Sequence, residues 1–390
     1  MKLLHLLYIV FILSCLFDPD NQILALKMPV FILIIVYTFM THKTKLPTSV
    51  SNYVVLFGLL LPILSVLMGL LLNSENYIET NIILIIKPFL FVFLALAMIN
   101  SPEIDVPRVF SYCLLVLAGA IIVIFAGYMT GVFSEQLLFA FGNDNGVFTV
   151  GERDFSSMTI NRVYFHTAPM LVFGSFYFLN QFYETKKKIY FVLSIFISVA
   201  LFLSGTRNDM IMAFSPYIVL GYIKGGKAIR FFIITAVVSF GAYLASQEIF
   251  GMFFDKEDNS NSQKLSYLPE YAARFTHFST LIFGDGLGSY FHTQGLGYCN
   301  NTELTYLELY RRFGIIVGSI YMYLMYKPVF QLYKAKSSVW LAFAYLMYLI
   351  MIIFNPFFFS SNGMMILSVV ISTVYFNRSK ERVSFQRKHC

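Results

Sequence analysis

Apolar runs of membrane length alternate with short polar segments along the whole chain. A spanning helix needs about 20 mostly apolar residues. The pattern predicts twelve candidate spans, at 3–17, 22–40, 53–72, 81–99, 109–130, 160–179, 189–204, 209–223, 231–248, 313–331, 338–355 and 362–377. The first, seventh and eighth are short, so tilted, broken or re-entrant segments would bring the count to about 10–12. The expected fold is all-α: a polytopic integral membrane protein with one transmembrane domain over 1–390. Within it, residues 249–312 form a large extracytoplasmic loop and residues 131–159 a medium one. The large loop opens with the turn-rich "DKEDNSNSQ". It continues with "YLPEYAARFTHFSTLIF", whose apolar residues recur at helical spacing and predict short helices on the membrane surface.

Composition agrees with this reading. The chain is 58% hydrophobic and 13% charged, against about 25% charged in soluble domains. The net charge of +7 does not point to nucleic acid. Its lysines and arginines sit in short loops and make no basic face to lie along a duplex. They are also asymmetric. "THKTK", "SPEIDVPR", "ETKKK", "KGGKAIR", "YKAKSS" and the tail "NRSKERVSFQRKHC" fall on one side, while most acids fall on the other. The positive-inside rule then places both termini in the cytoplasm. The cysteines (15, 113, 299, 390) are scattered without a CxxC, so neither a zinc site nor a disulfide framework is expected. "ILSC" at 12–15 resembles a lipoprotein cleavage site, but Leu16 and Phe17 continue the apolar run. No internal or inverted repeat is visible, which argues against a transporter.

Candidate chemistry lies on the outer side. Arg162, Arg207, Arg274 and the pair Arg311–Arg312 each stand near the end of an apolar segment. Arginine is a rigid, permanently charged fork suited to phosphate. For most of these positions snorkelling to the interface is a sufficient account. Arg207 differs, because "LSGTRNDM" pins it in a tight turn between two apolar runs. "GDGLGSY" at 284–290 lacks the Lys-Ser/Thr ending of a P-loop and the strand–turn–helix setting of a dinucleotide fingerprint. In "ELTYLELYRRFGIIVG", Glu303, Tyr306, Leu307 and Tyr310 share one helical face. Glu303 is expected on the entry turn, with Asn301 or Thr302 as N-cap. His166, His277 and His292 match no metal motif. His292, Tyr306 and Lys87, the last a charge inside an apolar run, are candidate substrate contacts. Lys27 needs only to snorkel.

The order of these blocks is informative: a span ending in "LSGTRNDM", a large outer loop, "LIFGDGLGSY", then "NNTELTYLELYRRFGIIVG". Over roughly residues 190–325 the chain resembles the O-antigen polymerase/ligase superfamily. The resemblance implies a glycosyltransferase at the outer face of the bacterial inner membrane. It would use an undecaprenyl-pyrophosphate-linked oligosaccharide as donor, with neither a cofactor nor an essential metal. Arg207 and Arg274 would hold the pyrophosphate, joined by Arg162 and Arg311. Glu303 stands where ligases carry histidine and would act as general base, which favours a Wzy-type polymerase of lipid-linked repeat units over a WaaL-type ligase. A lipid-linked oligosaccharide flippase is the rival of another class, and the large outer loop argues against it. A plain membrane scaffold would leave the charged turn and the ordered motifs without a role. The bilayer, a chain-length regulator and a flippase are the expected partners.

The charge asymmetry makes a direct prediction. Reporter fusions at Lys187 and Asn259 should read opposite sides of the membrane, with Lys187 cytoplasmic. A cytoplasmic reading at Asn259 would overturn the orientation.

Overall fold

The computed structural model describes residues 2–41, 46–72, 82–155, 158–246, 259–293 and 297–389. The first residues of the expected large loop, 249–258, therefore lie outside the described residues.

Four helices among the described residues are long and apolar enough to cross a membrane: α3 (Thr48–Leu72), α4 (Ile82–Ile99), α5 (Val106–Met129) and α14 (Thr305–Lys334). Shorter apolar helices are α1 (Lys2–Phe17), α2 (Lys27–Thr41), α8 (Lys188–Leu203) and α15 (Val339–Met351). The class is thus all-α with membrane-length helices, and the rest of the twelve-span pattern is cut differently. The expected span at 22–40 begins only at Lys27, because Asp18 gathers the preceding turn. Its carboxylate accepts from the backbone N–H groups of Gln22 (2.7 Å), Ile23 (3.2 Å), Leu24 (2.9 Å) and Ala25 (3.2 Å). The expected span at 160–179 opens as a strand. Residues Phe148–Phe155 (β1) and Met158–Phe165 (β2) form an antiparallel hairpin, and the helix α7 starts only at Leu171, running to Thr185. The expected span at 209–223 is two helices, α9 (Arg207–Met212) and α10 (Ser215–Lys224), with Pro216 opening the second.

Two helices are buried all round. Every residue from 171 to 180 in α7 is buried, as is every residue from 361 to 372 in α16 (Ser361–His389). A helix apolar on all faces belongs at the centre of a bundle. Hydroxyls give these centres their specific partners, as expected of packing between helices in lipid. Ser175 of α7 meets Ser194 (3.1 Å) and Ser198 (2.7 Å) of α8, and Tyr217 of α10 lies 3.2 Å from Ser198. Ser368 of α16 reaches the Phe91 and Val92 carbonyls where α4 tightens into a 3₁₀ turn.

Three further helices complete the part that matters for a site. They are α11 (Lys227–Ser246), α12 (Asn259–Phe275) and α13 (Phe278–Phe283), preceded in the chain by α6 (Glu135–Gly142). A small hairpin, β3 (Phe291–Thr293) and β4 (Gly297–Cys299), leads into α14.

Burial works against the Asp18 charge, but its four backbone donors hold the carboxyl below the usual carboxylate range. A depressed folded pKa contributes stability that is full above the unfolded value, about pH 4, and is lost as pH falls through the lower folded value. Asp18→Asn should therefore unfold at a lower temperature than wild type at pH 7, and the gap should shrink below about pH 4. A gap independent of pH in detergent melting curves would deny the carboxylate this role.

Candidate functional site

The hairpin of β1 and β2 is two-faced. Alternation along a strand puts Phe148 and Val150, with their partners Phe165 and Val163, on one side. All four are buried, and the rings of Phe148 and Phe165 stack at 4.8 Å. The opposite face carries Tyr164, Arg162 and Arg153, with Gly151 paired to Arg162. That face meets the turn between α8 and α9. Gly205 has φ +68, and a Cβ there would lie 2.4 Å from the Cβ of Arg162. The glycine of "LSGTR" is thus required twice, for its backbone angle and for the arginine stem that lies on it.

The turn is internally fixed. Thr206 caps α9 by accepting from the Asp209 N–H (3.1 Å), and Ser204 donates to Asp209 Oδ2 (2.8 Å). Arg153 stands within electrostatic range of the buried Asp209. Arg207 begins α9, half-buried, two residues beyond the contact between Gly205 and Arg162. Burial pulls the Arg162 guanidinium below its ordinary value, which the neighbouring Tyr164 offsets in part. Arginine stays protonated under such shifts.

The segment before α14 joins this group through residues 351–355. Asn355 Nδ2 donates to the Tyr164 hydroxyl (2.9 Å), and the Asn355 carbonyl accepts from Thr305 Oγ1 (2.7 Å). Asn208, next to Arg207, donates to the Met351 carbonyl (2.9 Å). Burial pushes the Tyr164 hydroxyl well up, and Asp209 and Glu303 are among the charges that act on it. The hydroxyl is therefore a fixed, protonated group. Three stretches far apart in sequence, at 162–164, 205–209 and 303–305, are held to one another around Tyr164 and Asn355.

Glu303 does not begin a helix. The cap of α14 is Leu304, and Glu303 lies just outside, half-exposed, paired with Lys264 of α12 at 3.1 Å. Thr302, expected as a cap, instead bonds Tyr271 and the Leu304 N–H, which ends any helical reading at 302. The first-turn acid is Glu308.

Arg311, expected at the pyrophosphate, is fully buried and fully engaged. Its Nε and Nη2 donate to Glu308 Oε2 (3.2 and 2.8 Å), its Nη1 to Ser289 Oγ (2.7 Å), and its Nη2 also to the Asn300 carbonyl (3.0 Å). Asp285 Oδ2 lies 3.7 Å away, and the Phe291 ring lies under the guanidinium at 4.3 Å. Arg312 Nε is 2.9 Å from the same Glu308 oxygen, and Tyr271 donates to Glu308 Oε1 (2.6 Å). Burial pushes the Tyr271 hydroxyl well above the usual range, so it is a permanent donor here. Arg311 is thus a structural ion-pair member, which corrects its assignment to the substrate.

The glycine-rich "GDGLGSY" is the other half of this unit. Gly314 has non-helical angles (φ 64, ψ 177), which breaks α14. The break turns the carbonyls of Arg311 and Arg312 to new donors, the N–H groups of Asp285 (2.6 Å) and Gly286 (3.1 Å). Ser65 of α3 bridges α14 and the Gly-rich turn, donating to the Arg312 carbonyl (2.8 Å) and accepting from the Leu287 N–H (3.0 Å). A Cβ on Gly284 would lie 2.5 Å from the Gly314 nitrogen, and one on Gly286 would lie 2.2 Å from the Gly69 Cα. The motif exists to let backbones touch.

The remaining candidates are dispersed. Tyr306 points into the bundle, bonding Tyr326 (2.7 Å) and the Leu349 carbonyl (2.8 Å), and is a helix-packing residue. His292 is exposed on β3, edge-on to Tyr298. Lys87 lies half-buried in α4, in electrostatic range of the buried Lys27, which donates to Pro19 and Ser361. Arg274 closes α12, three residues after Tyr271 and so on its face. Sequence reasoning missed Arg153, Tyr164 and Asn355. No local pattern marks them: "MTINRVYF" runs on into apolar residues and reads as part of a span, and Asn355 closes another apolar run.

Gly284 and Gly297 separate two effects. Both have positive φ, but no described residue lies within 4 Å of a Cβ at Gly297. Gly297→Ala should cost about 1–2 kcal/mol from backbone strain alone. Gly284→Ala should cost several times that and prevent recovery of folded protein. Equal melting shifts for the two variants would show that the close approach of Gly284 to Gly314 does not support the fold.

Compared with models of protein families, with curated proteins and with solved structures, the chain matches none.

Proposed function

We propose that this protein is a glycosyltransferase that polymerises lipid-pyrophosphate-linked oligosaccharide units at the extracytoplasmic face of a bacterial inner membrane. The observation that carries the reading is the gathering of Arg162, Arg153 and Arg207 with the Glu303 segment around Tyr164 and Asn355. Such a group supplies cations for a pyrophosphate and a carboxylate beside them. It stands where apolar helices end, as a lipid-linked donor requires.

The chemistry follows from the parts. The pyrophosphate leaves with the electron pair of the bond between the anomeric carbon and its oxygen. Arg207 and Arg162 stabilise the charge that develops there. The acceptor hydroxyl oxygen forms the new bond to the anomeric carbon and gives its proton to Glu303. Lys264 holds the Glu303 carboxylate at the mouth of the group. Arg311 has no part in these steps; with Glu308 it fixes the segment from which Glu303 projects.

With purified protein and a lipid-linked repeat unit, without added divalent metal, Arg207→Ala should abolish polymer. Arg207→Lys should restore it poorly, because lysine keeps the charge and loses the bidentate fork. Glu303→Gln should retain donor binding and lose about 10²–10⁴ in rate. Polymer of wild-type length from folded Arg207→Ala would remove the arginine from the reaction. Wild-type rates in Glu303→Gln would reduce Glu303 to the partner of Lys264.

A further inference from the structure

The opposite end of α14 holds a second charged site. Lys327 and Lys334 lie on one face of this helix, with Tyr323 and Phe330 between and above them at helical spacing. Facing them from α16 are Asn377 and Arg378. Together these side chains line a crevice of about 340 Å³, within the range of small-molecule sites. Among the described residues, three cations and no carboxylate line it. Its floor is held, since Asn377 Nδ2 donates to Ser338 Oγ at 2.9 Å and so ties α16 to the turn after α14. Past the break at Gly314, the helix from Ile315 to Lys334 rises about 28 Å at 1.5 Å per residue. The crevice therefore lies a membrane thickness away from the Gly-rich turn and belongs to a different interface.

We infer that this crevice is a binding site for an anionic phospholipid of the leaflet that meets the Lys334 end of α14. Charge complementarity identifies the headgroup: a phosphate is matched by Lys327, Lys334 and Arg378 converging from two helices. The aromatic wall identifies the source. Tyr323 and Phe330 are 62% and 66% exposed; Tyr323 lies one turn before Lys327 along α14, and Phe330 lies between Lys327 and Lys334. Rings so placed cover acyl and glycerol carbons, and a free phosphate ion would leave them without a role. Lys327 Nζ lies 5.2 Å over the Tyr323 ring, so this ammonium is already drawn along the crevice rather than outward. The site goes beyond the transfer reaction. It would couple the packing of α14 against α16 to the charge of the surrounding lipid.

The test is lipid retention by the purified full chain, read by native mass spectrometry after exchange into micelles carrying equal phosphatidylglycerol and phosphatidylcholine. Wild type should keep phosphatidylglycerol preferentially. Lys327→Gln, Lys334→Gln and Arg378→Gln should each lower that preference by about fivefold, the effect of one cation near a phosphate. A control triple variant, Lys186→Gln with Lys187→Gln and Lys188→Gln, removes three charges from another loop, more than any of the single variants, and should leave the preference intact. Millimolar inorganic phosphate should not displace the lipid. Equal retention of the two lipids by wild type, or an equal loss in the control triple, would overturn the site. Displacement by phosphate alone would assign the crevice to a soluble anion instead. Lys334 and Arg378 are exposed, so their single variants remain informative where the Lys327 variant fails to fold.

Discussion

One carboxylate, Glu308, is shared by two arginines at the point where α14 meets the segments that precede it. A charge removed from water in this way is costly unless every partner is present, and removing one partner of such a set typically costs about 3–5 kcal/mol. Here the partners come from α12, through Tyr271, from the Gly-rich turn, through Asp285 and Ser289, and from α14 itself. The network thus requires the loop segments to close on the helix. Apolar burial alone would not give them that register, since it is non-directional, whereas a bidentate guanidinium is directional.

The break at Gly314 belongs to the same arrangement. An intact helix would use the carbonyls of Arg311 and Arg312 internally. Breaking it offers them to Asp285 and Gly286, and the loop becomes a continuation of the helix's own hydrogen bonding. Backbone outside a helix is tolerated near the membrane where protein satisfies it. The two glycines that approach within a Cβ's reach, Gly284 and Gly314, are the requirement for that satisfaction.

With this clamp in place, the residues just before α14 are held beside the turn at Gly205 and the hairpin face of Arg162. The charges there differ in kind from those of the clamp. Arg311 is enclosed and neutralised, while Arg207 at the start of α9 and Arg162 within β2 are half-buried and Glu303 is half-exposed. A clamp must be saturated to be stable. A site for a charged ligand keeps its groups near solvent, where they can exchange partners. Two arginines of similar sequence setting, Arg207 and Arg311, thus stand in different surroundings.

The sequence by itself determined the class. Runs of apolar residues at membrane length dictate helices, because the bilayer offers backbone groups no other partner. It also marked Arg207, since a charge in a tight turn between two apolar runs has no cheap alternative place. The exchange of roles between Glu303 and Glu308 was not legible, because both fall on the same apolar-periodic stretch and only the cap at Leu304 separates them. Nor was the hairpin, where "MTINRVYF" runs into an apolar helix and is read as part of it. Its fate depends on pairing with residues 148–155, a contact that leaves no mark on local hydropathy. What the tertiary structure decided was which charges meet. Hydropathy fixes how deep a residue lies in the membrane, and it carries no information about which neighbour it faces there.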